Sequence, residues 1–362
     1  MMPPDLSTFL NVGPYSLNAA AKSKILTATL KNLTYWHIAQ CEAYRKILTL
    51  QGVNTEAIFQ IKDVPFIPVQ LFKEFDLLSI EHGRIFKIMN SSGTTGQLTS
   101  KIYLDRETAS MQTKVLSRIM GELLGSKRLP MLIIDSPSIL KDRKAFSARG
   151  AGILGFSLYG LDVTYALDES MNLNFYEIEA FLRRHKGEPI FIFGFTFMVW
   201  QYFLQPLKQM EKKLSIESGI LLHGGGWKKL QEQSVSAEVY RESVREIVGI
   251  DRVTNYYGMV EQTGSLFMEC EAGHLHAPVY ADVIMRSPQS FDVAQFGEEG
   301  IIQTLSILPK SYPGHSLLTE DMGVLLGEDD CRCGRLGKYF RILGRMAKAE
   351  IRGCSDTQEA HV

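Results

Sequence analysis

The chain has 362 residues, of which 45% are hydrophobic and 22% are charged, so it is long enough to bury a sizeable core. Its 39 basic and 40 acidic residues leave a formal net charge of -1. This balance argues against nucleic acid and anionic membrane surfaces as partners, because both select strongly basic proteins.

The termini, apolar runs and cysteines together predict a cytoplasmic protein that does not insert into a membrane. The N-terminus lacks a basic segment followed by an apolar one and a small-residue cleavage site. The longest uncharged run, residues 189–207, is interrupted by Pro189, Gly194 and Pro206, which favours a buried strand, a turn and a helix over a membrane span. Five cysteines in a chain of this length are typical of cytosolic thiols or metal ligands.

The hydrophobic periodicity predicts an α/β fold. Residues 16–50 have the three-and-four spacing of an amphipathic packing helix, carried by Leu26, Leu30, Leu33, His37, Cys41, Tyr44 and Leu48. Strand-like segments follow at residues 130–137, 189–195, 219–226 and 252–258. Helix-like segments lie between them at residues 176–185 and 228–248. This alternation indicates crossover connections and a mainly parallel sheet.

Short strands and turns replace the alternating pattern after Gly264, and residues 297–308 are the clearest of these strands. The change predicts a smaller β-rich subdomain over roughly residues 265–343.

A hexapeptide rich in hydroxyl groups and glycine follows an apolar segment and consists of Ser91, Ser92, Gly93, Thr94, Thr95 and Gly96. The two glycines relieve steric limits, while four hydroxyls and successive backbone N–H groups can surround a polyphosphate. The hexapeptide is therefore a candidate phosphate loop. A hairpin turn is the alternative, since the same residue types favour turns.

Two further segments place candidate binding residues after predicted strands. His223, Gly224, Gly225 and Gly226 come where a parallel strand delivers its carboxyl end to a ligand crevice. The alternative there is a tight strand-to-helix turn with Trp227 in the core. The second segment contains Tyr256, Tyr257, Gly258 and Glu261. The Glu261 carboxylate is a candidate Mg²⁺ ligand, or a solvated side chain at the start of a helix.

Together these three segments resemble the adenylate-forming superfamily of acyl-CoA synthetases, adenylation domains and luciferases. The resemblance implies the large N-terminal-type domain of these enzymes, with two sheet-and-helix subdomains and a small β-rich one. It implies ATP at the hexapeptide and at the glycine-rich strand end, with Tyr256, Tyr257 and Gly258 beside the adenine. Residues 317–323 resemble the segment that binds the ribose through an aspartate, here Asp321, and residues 344–353 resemble the hinge, with Arg345 in its basic position.

Within the superfamily, the chain is similar to the acyl-protein synthetase family of bacterial bioluminescence from about residue 16 to residue 356. The segments that carry this likeness are YWHIAQCEAYRKI, IPVQLFKEFDLL, HGGGWK and the near-terminal RGC. The phenylacetate–CoA ligase branch is also similar, through CRCGR and the hinge. The likeness implies that ATP and Mg²⁺ activate a carboxylic acid, expected to be a fatty acid, to an acyl adenylate. The acyl group then passes to a thiol and onward to a partner such as an acyl reductase.

The sequence departs from the superfamily pattern at two places. Thr99 occupies a position where many members have lysine, and Lys101 follows two residues later. The second departure concerns the end of the chain. Residues 1–343 are expected to form the adenylate-forming domain, and residues 344–362 are expected to form a hinge-like segment and short tail. The mobile C-terminal domain of about 100 residues is therefore expected to be absent.

Cys354 is the candidate acyl acceptor, because near-terminal cysteines in a similar context accept the acyl group in the bioluminescence family. Arg345, Lys348 and Arg352 lie nearby in sequence and would favour the thiolate. The alternative is an inert surface thiol on a frayed tail.

A second cysteine group predicts a structural zinc site formed by Cys270, His276, Cys331 and Cys333. Three thiolates and one imidazole complete a tetrahedral zinc set. His274 is a rival ligand, and buried thiols without metal are the alternative. The acid substrate is assigned to Gly194, Phe195 and His223, although the aromatic run after Pro189 is equally compatible with core packing.

Two other functions remain open from sequence. One is an aryl- or acyl-CoA ligase of the phenylacetate type. The other is a catalytically inactive nucleotide-binding protein that keeps the fold and a structural zinc ion.

Overall fold

The computed structural model describes residues 6–91, 99–140, 148–227 and 234–346. The α-helices are α1 (Ala19–Gln40), α2 (Glu42–Leu50), α3 (Leu71–Glu74), α4 (Arg106–Leu124), α5 (Ala148–Ser157), α6 (Phe175–Arg184), α7 (Thr196–Met198), α8 (Gln205–Gln209) and α9 (Ala237–Val248). The strands are β1 (Ile67–Pro68), β2 (Lys87–Asn90), β3 (Lys101–Leu104), β4 (Leu129–Ile133), β5 (Gly160–Tyr165), β6 (Ile190–Phe195), β7 (Gly219–Gly224), β8 (Arg252–Tyr257), β9 (Phe267–Glu269), β10 (Leu275–His276), β11 (Ala281–Arg286), β12 (Glu299–Ser306), β13 (Ser316–Glu328) and β14 (Lys338–Arg345).

These elements form two compact units. The first, here called the antiparallel unit, comprises the described parts of Met1–Ser91, Leu98–Glu122 and Gly258–Glu350. The second, the parallel unit, comprises the described parts of Leu123–Tyr257.

The parallel unit contains a five-stranded parallel sheet in the order β8, β7, β6, β4, β5. Strands β6 and β7 are buried along their whole length, as their near-continuous apolar sequences require in a sheet covered on both faces. Helix α9 begins after Ser236, whose side chain accepts a hydrogen bond from Val239 N, and it ends at Gly249 with a φ of 73°. The predicted crossover connections and parallel sheet are therefore confirmed.

The uncharged run at residues 189–207 folds differently from the expected strand, turn and helix. Strand β6 passes directly into α7, with Phe195 as the N-cap residue, and a π-helical segment at Val199–Leu204 leads into α8. Pro206 is the second residue of α8, which directly follows the π-helical segment. Among the described residues, no helix combines the length and apolarity needed to cross a membrane.

The antiparallel unit carries the β-rich part of the chain. Its main sheet runs in the order β11, β12, β13, β14, β10, β9, and β1 pairs in parallel with β13. Strands β2 and β3 form a separate antiparallel pair. The predicted β-rich region over residues 265–343 corresponds to β9 through β14.

Two predicted helices are shorter than expected. The pattern over residues 16–50 forms two helices, because α1 ends at Cys41, which has extended backbone geometry. The helix expected over residues 228–248 begins at Ala237 in the structure, since the Ser236 side chain caps it there. Residues 228–233 lie outside the described part of the chain.

Candidate functional site

The glycine-rich end of β7 lies beside β8 in the parallel unit. Gly224 is the register partner of Tyr256, and a Cβ atom added at Gly224 would lie 2.6 Å from Tyr256 Cε1. A larger residue would displace the ring. Gly225 and Gly226 then have φ angles of 82° and 64°, the left-handed region that favours glycine. The glycines at this strand end are thus required by a close ring contact and by a turn.

His223 is held in one orientation by a residue that the sequence did not single out. The Thr196 hydroxyl lies 2.9 Å from His223 Nδ1 and donates to Gly224 O at 3.1 Å. Because Thr196 has one hydroxyl proton, His223 Nδ1 must be the donor in the first contact. Burial, assisted by Arg241, lowers the pKa of His223 to about 3, so the imidazole is neutral with its proton on Nδ1. The only sequence signal for Thr196 was a hydroxyl directly after a strand end.

The candidate acid-binding residues Gly194 and Phe195 are both tightly packed. A Cβ atom at Gly194 would lie 2.7 Å from Val199 Cγ2 and 2.9 Å from Ile134 Cβ. Phe195 is buried and makes an edge contact with Phe193, with ring centroids 5.7 Å apart. Their packing gives each a structural role, and substrate contact remains a prediction.

A buried ion pair stands at the carboxyl end of β4. Arg149 Nε lies 3.0 Å from Asp135 Oδ2, and both side chains are almost fully buried. Burial raises the pKa of Asp135 to about 6 although the Arg149 charge opposes the rise. The local sequence signal for this pair is weak, since it consists of an aspartate after an apolar strand.

The candidate phosphate loop lies between β2 and β3 in sequence, and both of these strands belong to the antiparallel unit. Ser91 and Ser100 close the loop: Ser91 N donates to Ser100 O at 3.0 Å, and Ser100 N donates to Ser91 Oγ at 2.8 Å. The remaining loop residues lie outside the described residues, namely Ser92, Gly93, Thr94, Thr95 and Gly96.

Glu261 lies in a short 3-10 helix, Val260–Gln262, and is buried rather than solvated. Burial raises the pKa of its carboxyl group, with the Ser100 hydroxyl and the Arg345 charge opposing that rise and the Glu320 charge adding to it. The structure therefore brings Glu261 near the base of the candidate phosphate loop. An acidic side chain buried near a second carboxylate is a setting in which a bound cation lowers the electrostatic cost.

Asp321 and Arg345 are neighbours across β13 and β14. They are register partners, and Arg345 Nε lies 3.7 Å from Asp321 Oδ1. Tyr257 is the last residue of β8, and Gly258 follows it. Cys354, with Lys348 and Arg352, lies outside the described residues.

The predicted metal ligands come together in the antiparallel unit. The ligand atoms of Cys270, His276, Cys331 and Cys333 all lie within 4.8 Å of one another. The Cys270 and Cys331 sulfurs are 3.9 Å apart, and Cys333 Sγ is 3.4 Å from His276 Nε2. A tetrahedral zinc site, with Zn–S of about 2.3 Å and Zn–N of about 2.0 Å, separates two sulfurs by about 3.8 Å and sulfur from nitrogen by about 3.5 Å. The four residues therefore fit a zinc ion.

Local turns create this arrangement. Gly273 N donates to Cys270 O, and Gly334 N donates to Cys331 O, each at 2.9 Å. The rival ligand His274 lies outside the set of four but places Nδ1 3.3 Å from Cys331 Sγ. His274 is thus positioned to donate a hydrogen bond to the Cys331 thiolate that a bound metal would hold.

The geometry can be compared with known proteins. A profile described as "Acyl-protein synthetase, LuxE" matches residues 5–362. The chain belongs to the acyl-protein synthetase family. Two relatives, from Vibrio harveyi and Aliivibrio fischeri, are each named long-chain-fatty-acid–luciferin-component ligase. Each is 22% identical to this chain, and the alignments cover 94% of the chain and 89% and 90% of the relatives.

Solved structures of 2-hydroxyisobutyryl-CoA ligase share the fold of this synthetase. One, an open conformation in complex with 2-HIB-AMP and CoA, has a TM-score of 0.71 at 15% identity and covers 94% of this chain and 79% of that one. Another, in the postadenylation state, has a TM-score of 0.69 at 14% identity, covering 92% and 69%. The predicted α/β fold of adenylate-forming ligases is confirmed. Family membership likewise confirms the prediction of an enzyme, a ligase of the adenylate-forming kind.

Proposed function

We propose that this synthetase uses ATP to activate a carboxylic acid, namely a fatty acid, and then transfers the acyl group to a thiol. The observation that carries the proposal is the family match over residues 5–362, together with relatives named as long-chain fatty-acid ligases. The glycine-rich strand end, with Gly224 against Tyr256, supports a flat nucleotide ring as ligand.

In the first half-reaction, a carboxylate oxygen attacks the α-phosphorus of ATP and pyrophosphate leaves. The proposed nucleotide contacts are the Ser91–Gly96 loop for the phosphates, Gly224–Gly226 with Tyr256–Gly258 for the adenine, and Asp321 for the ribose. Arg345, 3.7 Å from Asp321, would add positive charge near the nucleotide. Its proposed place in a hinge at residues 344–362, after an adenylate-forming domain at 1–343, remains a prediction.

Mg²⁺ would be held by Glu261 and would offset phosphate charge when bound. Its fit rests on the burial of the Glu261 carboxylate and on the negative charge of Glu320 near it, a repulsion that a bound cation would offset. Ser100 favours the ionised form that a cation requires.

In the second half-reaction, a thiolate attacks the acyl carbonyl carbon, a C–S bond forms, and AMP leaves with the bonding electrons of the C–O bond. Cys354 is the proposed acceptor, from which the group would pass to a partner such as an acyl reductase. CoA is the alternative acceptor, supported by the CoA ligases that share the fold.

Zinc is proposed as a structural ion, held by the four ligands Cys270, His276, Cys331 and Cys333. The set is complete without water or substrate, which is typical of structural rather than catalytic zinc.

The test is acid-dependent ATP–pyrophosphate exchange over fatty and aryl acids, followed by intact-mass analysis of wild type and Cys354→Ala. Cys41→Ala is the matched control, because Cys41 is buried in an apolar cluster. Exchange with an acyl adduct that Cys354→Ala alone abolishes supports the whole proposal. Pyrophosphate exchange without an adduct, together with CoA-dependent AMP formation, would identify CoA rather than Cys354 as the acyl acceptor. The activation proposal is wrong if no acid supports exchange.

A further inference from the structure

A buried loop in the antiparallel unit connects β12 to β13 over residues 307–315. Apart from Lys310 its residues are buried, although it has no regular secondary structure. Partners from several other segments satisfy its carbonyl groups: Trp36 Nε1 to Lys310 O at 3.0 Å, His37 Nε2 to Pro309 O at 3.1 Å, Ser79 N to Ser311 O at 2.7 Å and Gln262 Nε2 to Gly314 O at 2.8 Å. The loop is thus fixed in place by the core, since buried carbonyl groups without partners are costly.

Tyr312 extends from this loop to the segment that carries Glu261. Its ring is fully buried, and its hydroxyl donates to the main-chain Glu261 O at 2.9 Å. The same hydroxyl accepts a hydrogen bond from Gln112 Nε2, in α4, at 3.4 Å. One phenolic group therefore links α4 to the main chain of Glu261.

Glycine makes the close approach possible on either side. A Cβ atom at Gly314 would lie 2.3 Å from the Tyr312 ring and 2.9 Å from Glu261 O. At Gly264, with a φ of 91°, a Cβ atom would lie 2.8 Å from Gln112 O. The Gln262 side chain also donates to Thr304 O at 3.2 Å. The backbone on both sides of Glu261 is thereby held against α4 and the 307–315 loop.

We infer that Tyr312 is a positioning residue for Glu261 in the activation of the acid. The hydroxyl fixes the main chain of Glu261, and hence the position from which its carboxylate would hold Mg²⁺. This inference rests on the proposed function for its catalytic consequence, while the positioning itself depends only on the contacts of Tyr312. A carboxylate that is displaced from its productive position binds an ion more weakly, even though the side chain is still present.

The test compares Tyr312→Phe with Tyr44→Phe in two measurements. Tyr44 is the matched control: it belongs to the same apolar cluster, is 1% exposed, and has its hydroxyl 3.5 Å from His315 Nε2. The first measurement is the Mg²⁺ concentration that half-saturates acid-dependent exchange, which Tyr312→Phe should raise roughly tenfold with a smaller change in kcat. The second is hydrogen–deuterium exchange of residues 259–265, which should quicken in this variant alone.

Equal behaviour of the two variants in both measurements would overturn the inference. If the wild type supports no exchange with any acid, the proposed function fails, and hydrogen–deuterium exchange alone decides whether Tyr312 positions Glu261. If Tyr312→Phe does not fold, Gln112→Leu takes its place. It should raise the Mg²⁺ requirement about threefold, and an unchanged requirement would count against the inference.

Discussion

At the residue scale, the tautomer and hydrogen bonding of a side chain depend on its contacts as much as on its residue type. His223 was singled out in the sequence as a candidate substrate residue, but its tautomer follows from Thr196, which is 27 positions away in sequence. A neutral imidazole with its proton on Nδ1 presents an unprotonated Nε2, which accepts hydrogen bonds and does not donate them.

Removing the Thr196 hydroxyl should therefore impair ligand binding without unfolding the protein. We expect Thr196→Val, which keeps the shape, to raise a substrate KM about tenfold, because His223 loses its fixed tautomer. Thr196→Ser should restore the KM to near the wild-type value. Initial rates of acid-dependent exchange measure both. Equal impairment in the two variants would show that the Thr196 hydroxyl alone does not account for the effect.

At the scale of elements, the metal ligands are distributed over two chain reversals. Cys270 follows β9 and His276 lies in β10, while Cys331 and Cys333 lie between β13 and β14. Strand β10 pairs with both β9 and β14. A bound ion would therefore cross-link two chain reversals, whose residues Cys270 and Cys331 are 61 positions apart in sequence.

Cys270→Ser should reduce bound zinc and lower the free energy of unfolding by several kcal/mol, because an incomplete ligand set leaves buried groups unpaired. Metal content by mass spectrometry and urea denaturation measure the two effects. Cys41→Ser is the control, since Cys41 packs in a different apolar cluster from Cys270. Full zinc occupancy in Cys270→Ser would contradict the assigned ligand set.

Two of the three glycines in helix α5, Gly152 and Gly155, differ in surroundings. A Cβ atom at Gly155 meets nothing within 4 Å, whereas at Gly152 it lies 3.2 Å from Phe195 Cζ. Gly155→Ala should raise the free energy of unfolding by about 0.5–1 kcal/mol, because alanine loses less backbone entropy in a helix.

Gly152→Ala should show no such gain, because the added methyl group presses on a buried ring. Urea denaturation of the two variants measures the difference. Equal stabilisation would show that the Phe195 ring shifts freely.

At the scale of the whole molecule, buried histidines make stability depend on pH. Burial lowers the pKa of His223 and of His315 to about 3, and burial with the neighbouring His315 lowers that of His37 well below its usual value. His37 and His315 stack with centroids 4.9 Å apart. In the unfolded chain such groups titrate near about 6.5, so below that pH the unfolded state binds more protons than the folded one.

Stability should therefore fall as the pH drops below about 6.5, by up to about 1.4 kcal/mol per pH unit for each histidine. The raised pKa of Glu261 acts in the opposite sense, because the folded state retains that proton to higher pH. Urea denaturation between about pH 7.5 and about pH 5 measures the slope. His315→Gln should reduce the slope of stability against pH by the contribution of one proton. An unchanged slope would contradict the lowered pKa of His315.

The sequence by itself determined the fold class and the identity of most candidate residues. Buried strands such as β6 are continuous apolar runs, and the glycines and cysteines stand out locally, so neither needs knowledge of distant contacts. Residue spacing likewise proposed the four metal ligands, and it left open whether His274 or His276 completes the set.

Only the tertiary structure decided how those residues are held. The pairing of Thr196 with His223, the Asp135–Arg149 ion pair and the contact from Tyr312 to Glu261 join positions far apart in sequence. The same holds for the grouping of His276 with the three cysteines, whose ligand atoms lie within 4.8 Å of one another. The physical reason is that a hydrogen bond or a metal site depends on distances of a few ångströms, which chain folding sets and local sequence pattern does not encode.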